Sequence, residues 1–542
     1  MLEKKGSGDV RPGDLAVVRT GRGRATLERV LGSAARIETV LEGVLVDQGA
    51  RMPFEPYEPP DRSVEDRVDL RRLVAFTIDP ETAKDFDDAL SVERDGDGYR
   101  AWVHIADVSA FVPVGSPLDH GAARRAFSTY VPGLVAPMLP HELADDLCSL
   151  RPHEDRLCVT VEIPFDADLR PGEASFYRSV IRSRRRFSYG EVQRILDGGD
   201  VESELREPLA LIERLAGELR RRRFARGALR VESTEIAFAF DGEGGVADAW
   251  RESEAHAHAL VEEFMILANE CVAELLASRR REALYRVHER PDPQSVARLL
   301  AKLTALEVPT PPAPEADHMT PAQAAQLAAD ASERVSDYAA RSGRGREAFP
   351  TLVLRALKQA RYDPRNLGHS GLASTAYCHF TSPIRRYPDL VVHRALLREL
   401  GASDEPVPED LDALAEHASA REREAAQVEY LADEICLAWL LEDRLFELGW
   451  EHGFDGEIIG LIGSGLFVRF GDAFEGFVPV RRLGGDWYEV DALETSLVGR
   501  GGARFRLGDP IGVRVEGITR AEGKVELAPA RNSPARRTAK SG

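Results

Sequence analysis

The stretch Leu73–Val92, L-V-A-F-T-I-D-P-E-T-A-K-D-F-D-D-A-L-S-V, decides how this chain is organised. Its flanks, Val74–Ile78 and Ala89–Val92, are apolar and rich in strand-forming residues, which predicts two short β-strands. Between these strands lie four aspartates within ten residues: Asp79, Asp85, Asp87 and Asp88. Carboxylates that close repel one another, and burial would add a desolvation cost. The stretch therefore needs a compensating positive charge.

A divalent cation is the usual source of such a charge. Magnesium fits best, with manganese as the alternative ion, because magnesium takes few protein carboxylates and keeps coordination positions for water and substrate phosphate. The competing interpretation, a solvated acidic turn, does not explain the apolar strands on both sides. A calcium loop is excluded, because its sixth and twelfth positions require Gly and Glu, and they hold Lys84 and Leu90 here. The stretch predicts a magnesium site.

Length and composition indicate the class of protein. With 542 residues, 43% hydrophobic and 30% charged, the chain is expected to be a soluble globular protein of several domains. The strands and helices predicted below make the expected fold class α+β. No apolar run is long enough for a membrane span, and the first residues lack the apolar core of a signal peptide. The five cysteines are scattered without a C-x-x-C pair, which argues against a zinc ribbon or disulfide framework. We expect a cytoplasmic monomer.

The charge pattern bears on the partner. A net charge of −20 argues by itself against nucleic acid. Arginines nevertheless cluster at residues 182–186, 220–223, 279–281, 341–346, 355–361 and 385–386. Solvated helix faces would account for about half of these clusters, and the others could line a channel for a polyanion beneath an acidic surface. Composition leaves both interpretations open.

Four regions follow from the pattern along the chain. Residues 1–60 predict a small separate module, either a truncated barrel or a winged-helix-like unit, which ends in the linker P-F-E-P-Y-E-P-P. Residues 61–450 predict a catalytic domain that begins as mixed α/β and continues with helical periodicity. Residues 451–530 hold five short strands separated by glycine turns, which predicts an OB-type barrel. The basic tail, residues 531–542, is predicted to be disordered.

Within the catalytic region the pattern is specific enough to place individual elements. Strands are predicted at Val74–Ile78, Ala89–Glu93, Arg100–Asp107 and Cys158–Phe165. Helices are predicted at Leu118–Ala126, Glu191–Leu196, Glu202–Arg226, His256–Arg280, Pro293–Leu303 and Glu409–Leu448.

A second stretch with chemical content is T-A-Y-C-H-F-T-S-P-I-R-R-Y-P-D-L, at Thr375–Leu390. Two prolines fix the backbone around Arg385 and Arg386, and a helix is predicted just beyond them. Arginine binds phosphate through bidentate hydrogen bonds, and a helix N-terminus adds backbone N–H groups. The stretch therefore predicts a phosphate site, with a surface turn as the alternative.

Aromatic residues provide the third indication. In the predicted barrel, Phe467, Phe470, Phe474 and Phe477 interleave with arginines. This combination suits base stacking and phosphate contact in nucleic-acid binding, although core packing could claim two of the four rings.

These stretches together resemble the ribonuclease II/ribonuclease R family. The motifs are T-I-D-P-E-T-A-K-D-F-D-D-A-L, V-H-I-A-D-V-S, T-Y-V-P-G-L-V-A-P-M-L-P, D-D-L-C-S-L-R-P and H-F-T-S-P-I-R-R-Y-P-D-L. The C-terminal barrel resembles the S-one-type RNA-binding domain of those enzymes, and the match spans roughly residues 65–530. The resemblance implies a processive 3′→5′ exoribonuclease that releases nucleoside 5′-monophosphates. It also implies a deep channel that admits only single-stranded RNA.

The resemblance also assigns roles to individual residues. It makes the four aspartates of the opening stretch the metal site, and Arg385 the residue that clamps the phosphate. Tyr189 falls near the scissile nucleotide and Glu262 at the ribose, with Glu263 as the alternative. The residues expected to contact RNA are Tyr130, Tyr189, Glu262, Arg385, Arg386, Phe467 and Phe477. The implied mechanism is a two-metal in-line displacement in which Arg385 neutralises charge on the phosphate.

Two departures from the family pattern stand out. Val231 occupies a position that ribonuclease II uses for base stacking, and residues 1–60 cannot hold the family's usual tandem cold-shock domains. Two other classes of function remain open. One is a catalytically inactive RNA-binding regulator, and the other is an endonucleolytic or DNA-directed phosphodiesterase.

Overall fold

The computed structural model describes residues 2–4, 10–21, 24–58, 63–230, 235–252 and 256–530. Val231 and the tail 531–542, both subjects of a prediction, lie outside the described residues. No helix in the described ranges is long and apolar enough to cross a membrane.

The N-terminal region is a small sheet with one helix packed on it. Its elements are β1 (Leu2–Lys4), β2 (Asp14–Gly21), β3 (Arg24–Ser33) and α1 (Ile37–Asp47). Ile37, Leu41 and Leu45 recur at helical spacing along α1, and all three are fully buried. They belong to the same hydrophobic core as the C-terminal barrel and the long helix before it. The region predicted as a separate module is therefore packed into the body of the protein.

A closed sheet forms the centre of the catalytic region. The elements up to residue 188 are β4 (Val68–Asp69), β5 (Ala75–Asp79), β6 (Asp88–Asp95), β7 (Gly98–Ala106), α2 (Pro117–Arg125), β8 (Thr129–Val131), β9 (Leu134–Ala136), β10 (Asp155–Phe165) and β11 (Ser175–Ser188). The sheet order is β10–β7–β6–β5–β11–β4, and β10 also pairs with β11, so the sheet closes on itself. β8 and β9 form a separate hairpin.

The sequence pattern does not predict β11. Its second half contains R-S-R-R-R, which has the appearance of a charged surface cluster. In the structure, Ile181 and Phe187 of this strand are fully buried, while Arg182 pairs with Asp155 and Arg185 pairs with Glu202. The strand is therefore stabilised by alternation of buried apolar residues with arginines that carboxylates of other elements neutralise.

Helices, one hairpin and one two-stranded sheet make up the rest of the catalytic region. They are α3 (Tyr189–Leu196), α4 (Ser203–Ala225), β12 (Glu235–Phe240), β13 (Val246–Glu252), α5 (His256–Ser278), β14 (Tyr285–Val287), α6 (Pro293–Ala305), α7 (Pro321–Ser342), α8 (Ala348–Ala356), β15 (Arg361–Asp363), α9 (Tyr387–Glu399) and α10 (Leu411–Leu448). Leu209 and Ile212 of α4 and Phe264 of α5 pack into the same core as the central sheet. The elements predicted for this region are confirmed within three residues at each end, whereas α7 and α8 were not predicted.

The C-terminal region confirms the predicted five-stranded barrel. Its elements are β16 (Phe454–Ile462), β17 (Gly465–Phe470), β18 (Phe474–Pro479), β19 (Tyr488–Val490), β20 (Ser496–Gly499), β21 (Arg504–Arg506), β22 (Pro510–Thr519) and β23 (Lys524–Pro529). The barrel closes in the order β16–β17–β18–β23–β22, and β19–β21 form an additional small sheet between β18 and β22. Phe470 and Phe474 are buried in the barrel core, as expected for two of the four phenylalanines.

Candidate active site

The four aspartates lie where two antiparallel strands of the central sheet meet. β5 ends at Asp79, β6 begins at Asp88, and Asp85 and Asp87 lie in the loop between them. Asp79 and Asp87 are buried, although their carboxylates are charged groups that normally remain in water. Local strand formation, which the sequence predicts, is thus sufficient to bring these residues to one edge of the sheet.

The T-S-P-I-R loop also lies at this edge, although 297 residues separate Ile384 from Asp87. The backbone N–H of Ile384 donates a hydrogen bond to Asp87 Oδ1 at 2.8 Å, and Arg385 Nε lies 3.4 Å from Asp87 Oδ2. Arg385 also donates to Ser382 Oγ at 2.9 Å. The predicted phosphate-binding stretch and the predicted metal-binding stretch therefore form one site.

The two arginines of the loop differ in environment. The side chain of Arg385 is 44% exposed, whereas that of Arg386 is 17% exposed and donates to Asp389 Oδ1 at 2.8 Å. Asp389 is fully buried and also accepts the N–H of Ser382 at 2.8 Å. Arg386 therefore serves the internal structure of the loop, while Arg385 remains accessible from solvent.

Tyr130 contacts the aspartates directly. Its hydroxyl donates to Asp85 Oδ2 at 2.5 Å, and its backbone N–H donates to Glu429 Oε1 on α10 at 2.8 Å. Next to it, the N–H of Ser128 donates to the carbonyl of Arg385 at 3.0 Å. The residue predicted to stack on RNA is thus placed with its polar end on a candidate metal ligand.

Tyr189 and Glu262 form the opposite part of the site. Strand β11 pairs in parallel with β5, which sets Ser188 beside Asp79 and makes Tyr189 the first residue of α3. The ring of Tyr189 lies 5.1 Å from that of His258 on α5. Glu262 follows His258 by one helical turn and so lies on the same face of α5. The two residues that the resemblance assigned to the 3′ end are therefore near each other.

Glu263, the alternative to Glu262, is occupied elsewhere. Its carboxylate is only 2% exposed and accepts hydrogen bonds from Arg223 Nε at 3.1 and 3.2 Å and from Arg223 Nη2 at 2.5 Å. The same Nη2 lies 3.8 Å from Glu262 Oε2, and the Glu262 side chain is partly exposed. Of the two glutamates, Glu262 is the more exposed, whereas Glu263 is buried in an ion pair with Arg223.

Burial and mutual repulsion both act on the carboxylates. Burial, and after it the neighbouring Asp88 carboxylate, raise the pKa of Asp79 to about 8. Burial also raises the pKa of Asp88 to about 6, against the opposing effect of Arg385 and Arg386. The pKa of Asp87 lies well above its usual range, mainly because of burial. Each of these raised pKa values shows that the protein compensates the negative charge of the carboxylate only in part.

The donor groups fit a hard divalent cation. Asp79 Oδ2 and Asp87 Oδ2 are buried and accept no hydrogen bond in the described structure. An all-oxygen set of carboxylates is the type of ligand that magnesium and manganese prefer. Across the described ranges, however, no three His, Cys, Asp or Glu side chains stand together as a preformed ligand set. The chemistry of these residues therefore fits a divalent cation.

Three contacts at the site were not predicted from the sequence. They are the Ile384 N–H on Asp87, the Glu429 carboxylate on the Tyr130 backbone, and Arg186, which donates to the carbonyl of Pro80. Arg186 also lies over the ring of Phe86 at 5.6 Å. Ile384 belongs to the T-S-P-I-R stretch and Arg186 to the R-S-R-R-R cluster, whereas Glu429 belongs to no motif noted in the sequence.

The predicted RNA-binding phenylalanines lie on the barrel. Phe467 of β17 and Phe477 of β18 are register partners, and their ring centroids are 5.1 Å apart. Phe467 is exposed and Phe477 half-buried. Helix α10 connects the two regions, because it carries Glu429 towards the aspartates and packs Ile435 and Leu441 into the barrel core.

Comparison with known proteins agrees with this arrangement. The model of the RNB domain matches residues 67–402, which is more than half of the chain. Ribonuclease R of Escherichia coli is 37% identical over 497 residues, covering 87% of this chain and 58% of that protein. Ribonuclease R of Aquifex aeolicus is 38% identical over 485 residues, covering 87% and 66% respectively.

A solved structure extends the similarity to the fold. Mycoplasma genitalium RNase R in complex with ribose methylated single-stranded RNA gives a TM-score of 0.83 at 27% identity, covering 93% of this chain and 80% of that one. The chain spans 58% and 66% of the lengths of the two curated relatives. Since the RNB match includes both the aspartate stretch and the T-S-P-I-R loop, this protein belongs to the RNB-domain family.

Proposed function

We propose that this protein is a metal-dependent exoribonuclease that degrades single-stranded RNA from the 3′ end and releases nucleoside 5′-monophosphates. The observation that carries the proposal is the contact of Asp87 with Ile384 and Arg385 within an RNB fold. It sets an accessible phosphate-binding arginine against a group of buried carboxylates. Hydrolysis of a phosphodiester needs both, because negative charge increases on the phosphate and on the leaving oxygen.

The cation would be magnesium, with manganese as the alternative, held by Asp79, Asp85, Asp87 and Asp88. A bound cation of this kind activates water and stabilises a leaving oxygen. Tyr130 orients Asp85 through its hydroxyl, and Ile384 orients Asp87 through its N–H, so each carboxylate keeps a second oxygen for the ion. These contacts hold the first-shell groups in place in the way that outer-shell hydrogen bonds do in other metal sites.

Arg385 would bind the scissile phosphate. Its position is fixed by Asp87 and Ser382, while its side chain remains accessible. A guanidinium fixed in this way stabilises the transition state without having to reorganise as charge builds up. Arg386 has an internal partner and is not included in this proposal.

Tyr189 and Glu262 would position the terminal nucleotides. The Glu262 carboxylate is a suitable acceptor for a ribose 2′-hydroxyl, the group that distinguishes RNA from DNA. Phe467 and Phe477 would stack on bases further from the cleaved end. We also propose that a channel leads from the barrel to the aspartates and that it admits a single RNA strand.

The test uses 5′-labelled single-stranded RNA with Mg²⁺, and follows the products on a sequencing gel. A ladder that shortens from the 3′ end, with release of 5′-monophosphates, is expected. A blunt duplex should be degraded more slowly than the single strand. Internal cuts would indicate an endonuclease, equal decay of DNA would indicate a DNA-directed enzyme, and RNA binding without decay would indicate an inactive regulator.

A further inference from the structure

An exposed tryptophan, Trp487, immediately precedes β19, the first strand of the small sheet between β18 and β22. Trp487 is 63% exposed, and the guanidinium of Arg500 lies over its ring at 5.6 Å. Arg500 is itself well exposed, and its nearest charged neighbour is Glu489 at 4.0 Å. A surface ion pair of that length contributes little, so the arginine is available to another anion.

The backbone beneath this pair is held firmly. The carboxylate of Asp486 accepts the N–H of Trp487 and the N–H of Gly501, each at 2.7 Å. The N–H of Arg500 donates to the carbonyl of Trp487 at 3.0 Å. A Cβ at Gly499 would lie 2.3 Å from Asp486 Oδ2, so the carboxylate can reach both strands only because this residue is glycine. The indole is therefore exposed on a rigid support.

A second tryptophan–arginine pair shows that this exposure is not required for packing. Trp439 on α10 is buried, and the guanidinium of Arg520 lies over its ring at 3.6 Å. That pair contributes to the core between α10 and the barrel. Trp487 and Arg500 are also a tryptophan and an arginine in contact, but here the large apolar ring is exposed to water. Such exposure is typical of a binding surface.

We propose that Trp487 and Arg500 form an additional subsite for single-stranded RNA, with a base stacked on the indole and a phosphate bound by the guanidinium. This proposal rests on the proposed function, in which the 3′ end of the RNA lies at the aspartates and the rest of the strand extends towards the barrel. Indole rings accept any base, and a neighbouring arginine supplies the charge that the RNA backbone requires. A duplex would not fit, because its base faces are already stacked.

Local charge favours a polyanion over an acidic protein surface as the occupant. Residues 480–506 contain five arginines and four carboxylates, in a chain whose net charge is −20. Two of these carboxylates are committed to hydrogen bonds within the loop, Asp486 to two backbone N–H groups and Asp491 to Thr495. The segment thus carries one more positive than negative charge on a chain that is acidic overall, which favours an anionic strand there over an acidic protein surface.

The experiment measures binding without cleavage. The full-length chain is titrated in EDTA into fluorescein-labelled oligouridylates of about 8 and about 30 nucleotides, the first within and the second above the site size of one barrel module. Trp487→Ala should weaken binding of the long oligonucleotide about tenfold and leave the short one unchanged, and Trp487→Phe should keep most of the affinity. Arg500→Gln should reduce the slope of log affinity against log salt by about one.

The control is Trp250→Leu, which removes another exposed tryptophan from hairpin β12–β13. It should bind both oligonucleotides as the parent does. Parental affinity of folded Trp487→Ala for the long RNA would overturn the proposal. So would unchanged RNA affinity together with an altered oligomeric state in sedimentation, since this surface would then be a protein interface.

Decay assays separate this proposal from the proposed function. With Mg²⁺, Trp487→Ala should degrade the short oligonucleotide at the parental rate. If the parent degrades no RNA, the proposed function fails, while the binding comparison in EDTA still supports or overturns the subsite.

Discussion

The molecule contains two closed β-structures that use the same architecture in opposite ways. The central sheet buries groups that normally remain in water, such as Asp79 and Asp87. The C-terminal barrel and the small sheet inserted between β18 and β22 expose groups that are normally buried, such as Phe467 and Trp487. Each region departs from ordinary burial preferences at the place where we propose that it meets RNA. The comparison suggests that the first region performs chemistry and the second provides affinity.

The largest expected effect comes from Asp87→Asn. This variant keeps an Oδ1 that can accept the Ile384 N–H, and it replaces the carboxylate oxygen that faces Arg385. Turnover should fall by about three orders of magnitude, because one charge of the metal site is lost. Stability should be maintained or increase, since burial already disfavours the charged form of this residue. Single-turnover decay at saturating Mg²⁺ and a filter-binding isotherm in EDTA make the measurement.

Affinity for RNA should remain near the parental value in this variant. If Asp87→Asn cleaves at the parental rate, Asp87 is not part of the metal site. If it does not fold, the acidic stretch has a structural role, and the proposed division between chemistry and affinity fails at its first region.

The second-largest effect is expected at Tyr130. The family resemblance assigns this residue to RNA contact, whereas in the structure its hydroxyl donates a hydrogen bond to Asp85. Tyr130→Phe retains an aromatic ring but loses the hydrogen bond to Asp85. If the hydroxyl orients a metal ligand, the Mg²⁺ concentration for half-maximal activity should rise by about tenfold, the lower end of the usual range for outer-shell changes. The increase in melting temperature on adding Mg²⁺ should shrink in parallel.

A stacking role would give the opposite result. Phenylalanine stacks as well as tyrosine, so both the Mg²⁺ requirement and the thermal shift would stay at parental values. Tyr130→Leu is the matched variant, because it removes both the ring and the hydroxyl.

The third prediction concerns sugar discrimination. Glu262→Ala should reduce the preference for ribose over 2′-deoxyribose at the 3′-terminal nucleotides by about tenfold, because a charged hydrogen-bond acceptor is lost. Glu262→Gln keeps an acceptor oxygen and should lose less. Rates on chimeric oligonucleotides check this prediction, and unchanged rates would make Glu262 an ordinary residue of α5.

A paired variant tests how Glu262 is held. Arg223→Met combined with Glu263→Leu removes both members of the buried ion pair and leaves neither one buried alone, so folding should be preserved. It also removes the cation that lies 3.8 Å from Glu262. Sugar preference should shift in the same direction as in Glu262→Ala, but by less.

The two regions differ in how far the sequence predicts them. Asp79 and Asp88 come together because two neighbouring strands form a local hairpin, and local pattern reveals such strands. The barrel is predicted for the same reason, since its strands follow one another with glycine turns. The position of Tyr189 depends instead on parallel pairing of β11 with β5, across more than 90 residues. Nothing in the composition of either strand specifies that register.

The contacts of Tyr130 show the same limit at the level of single atoms. The motif T-Y-V-P-G identifies Tyr130 as important, but the hydroxyl–Asp85 contact depends on how hairpin β8–β9 packs against α10 through Glu429. Likewise, R-S-R-R-R shows where the arginines are, whereas their carboxylate partners, Asp155 and Glu202, lie outside strand β11. Tertiary packing decides these points, and single-sequence patterns do not contain it.

The smallest expected effect is the loss of RNA affinity when the barrel is altered. It has to be tested with a single substitution and not with a deletion of the barrel. Deleting residues 452–542 would remove the barrel side of a core shared with α1 and α10. It would also remove Glu457, whose carboxylate accepts the N–H groups of Arg346, Glu347 and Ala348 at the start of α8. A deletion therefore damages the catalytic region as well and cannot separate affinity from chemistry.

Phe467→Ala avoids this problem because the ring is exposed and its partner Phe477 remains. Loss of one of two stacking rings should weaken binding of long single-stranded RNA about three- to fivefold, below the full value of a base–aromatic stack. The melting temperature and the decay rate of a short oligonucleotide should not change. Phe470→Leu, three residues away and buried, should give the converse, a lower melting temperature with parental affinity. If both variants change stability and neither changes affinity, the barrel is only a structural domain, and the contrast between the two regions is wrong.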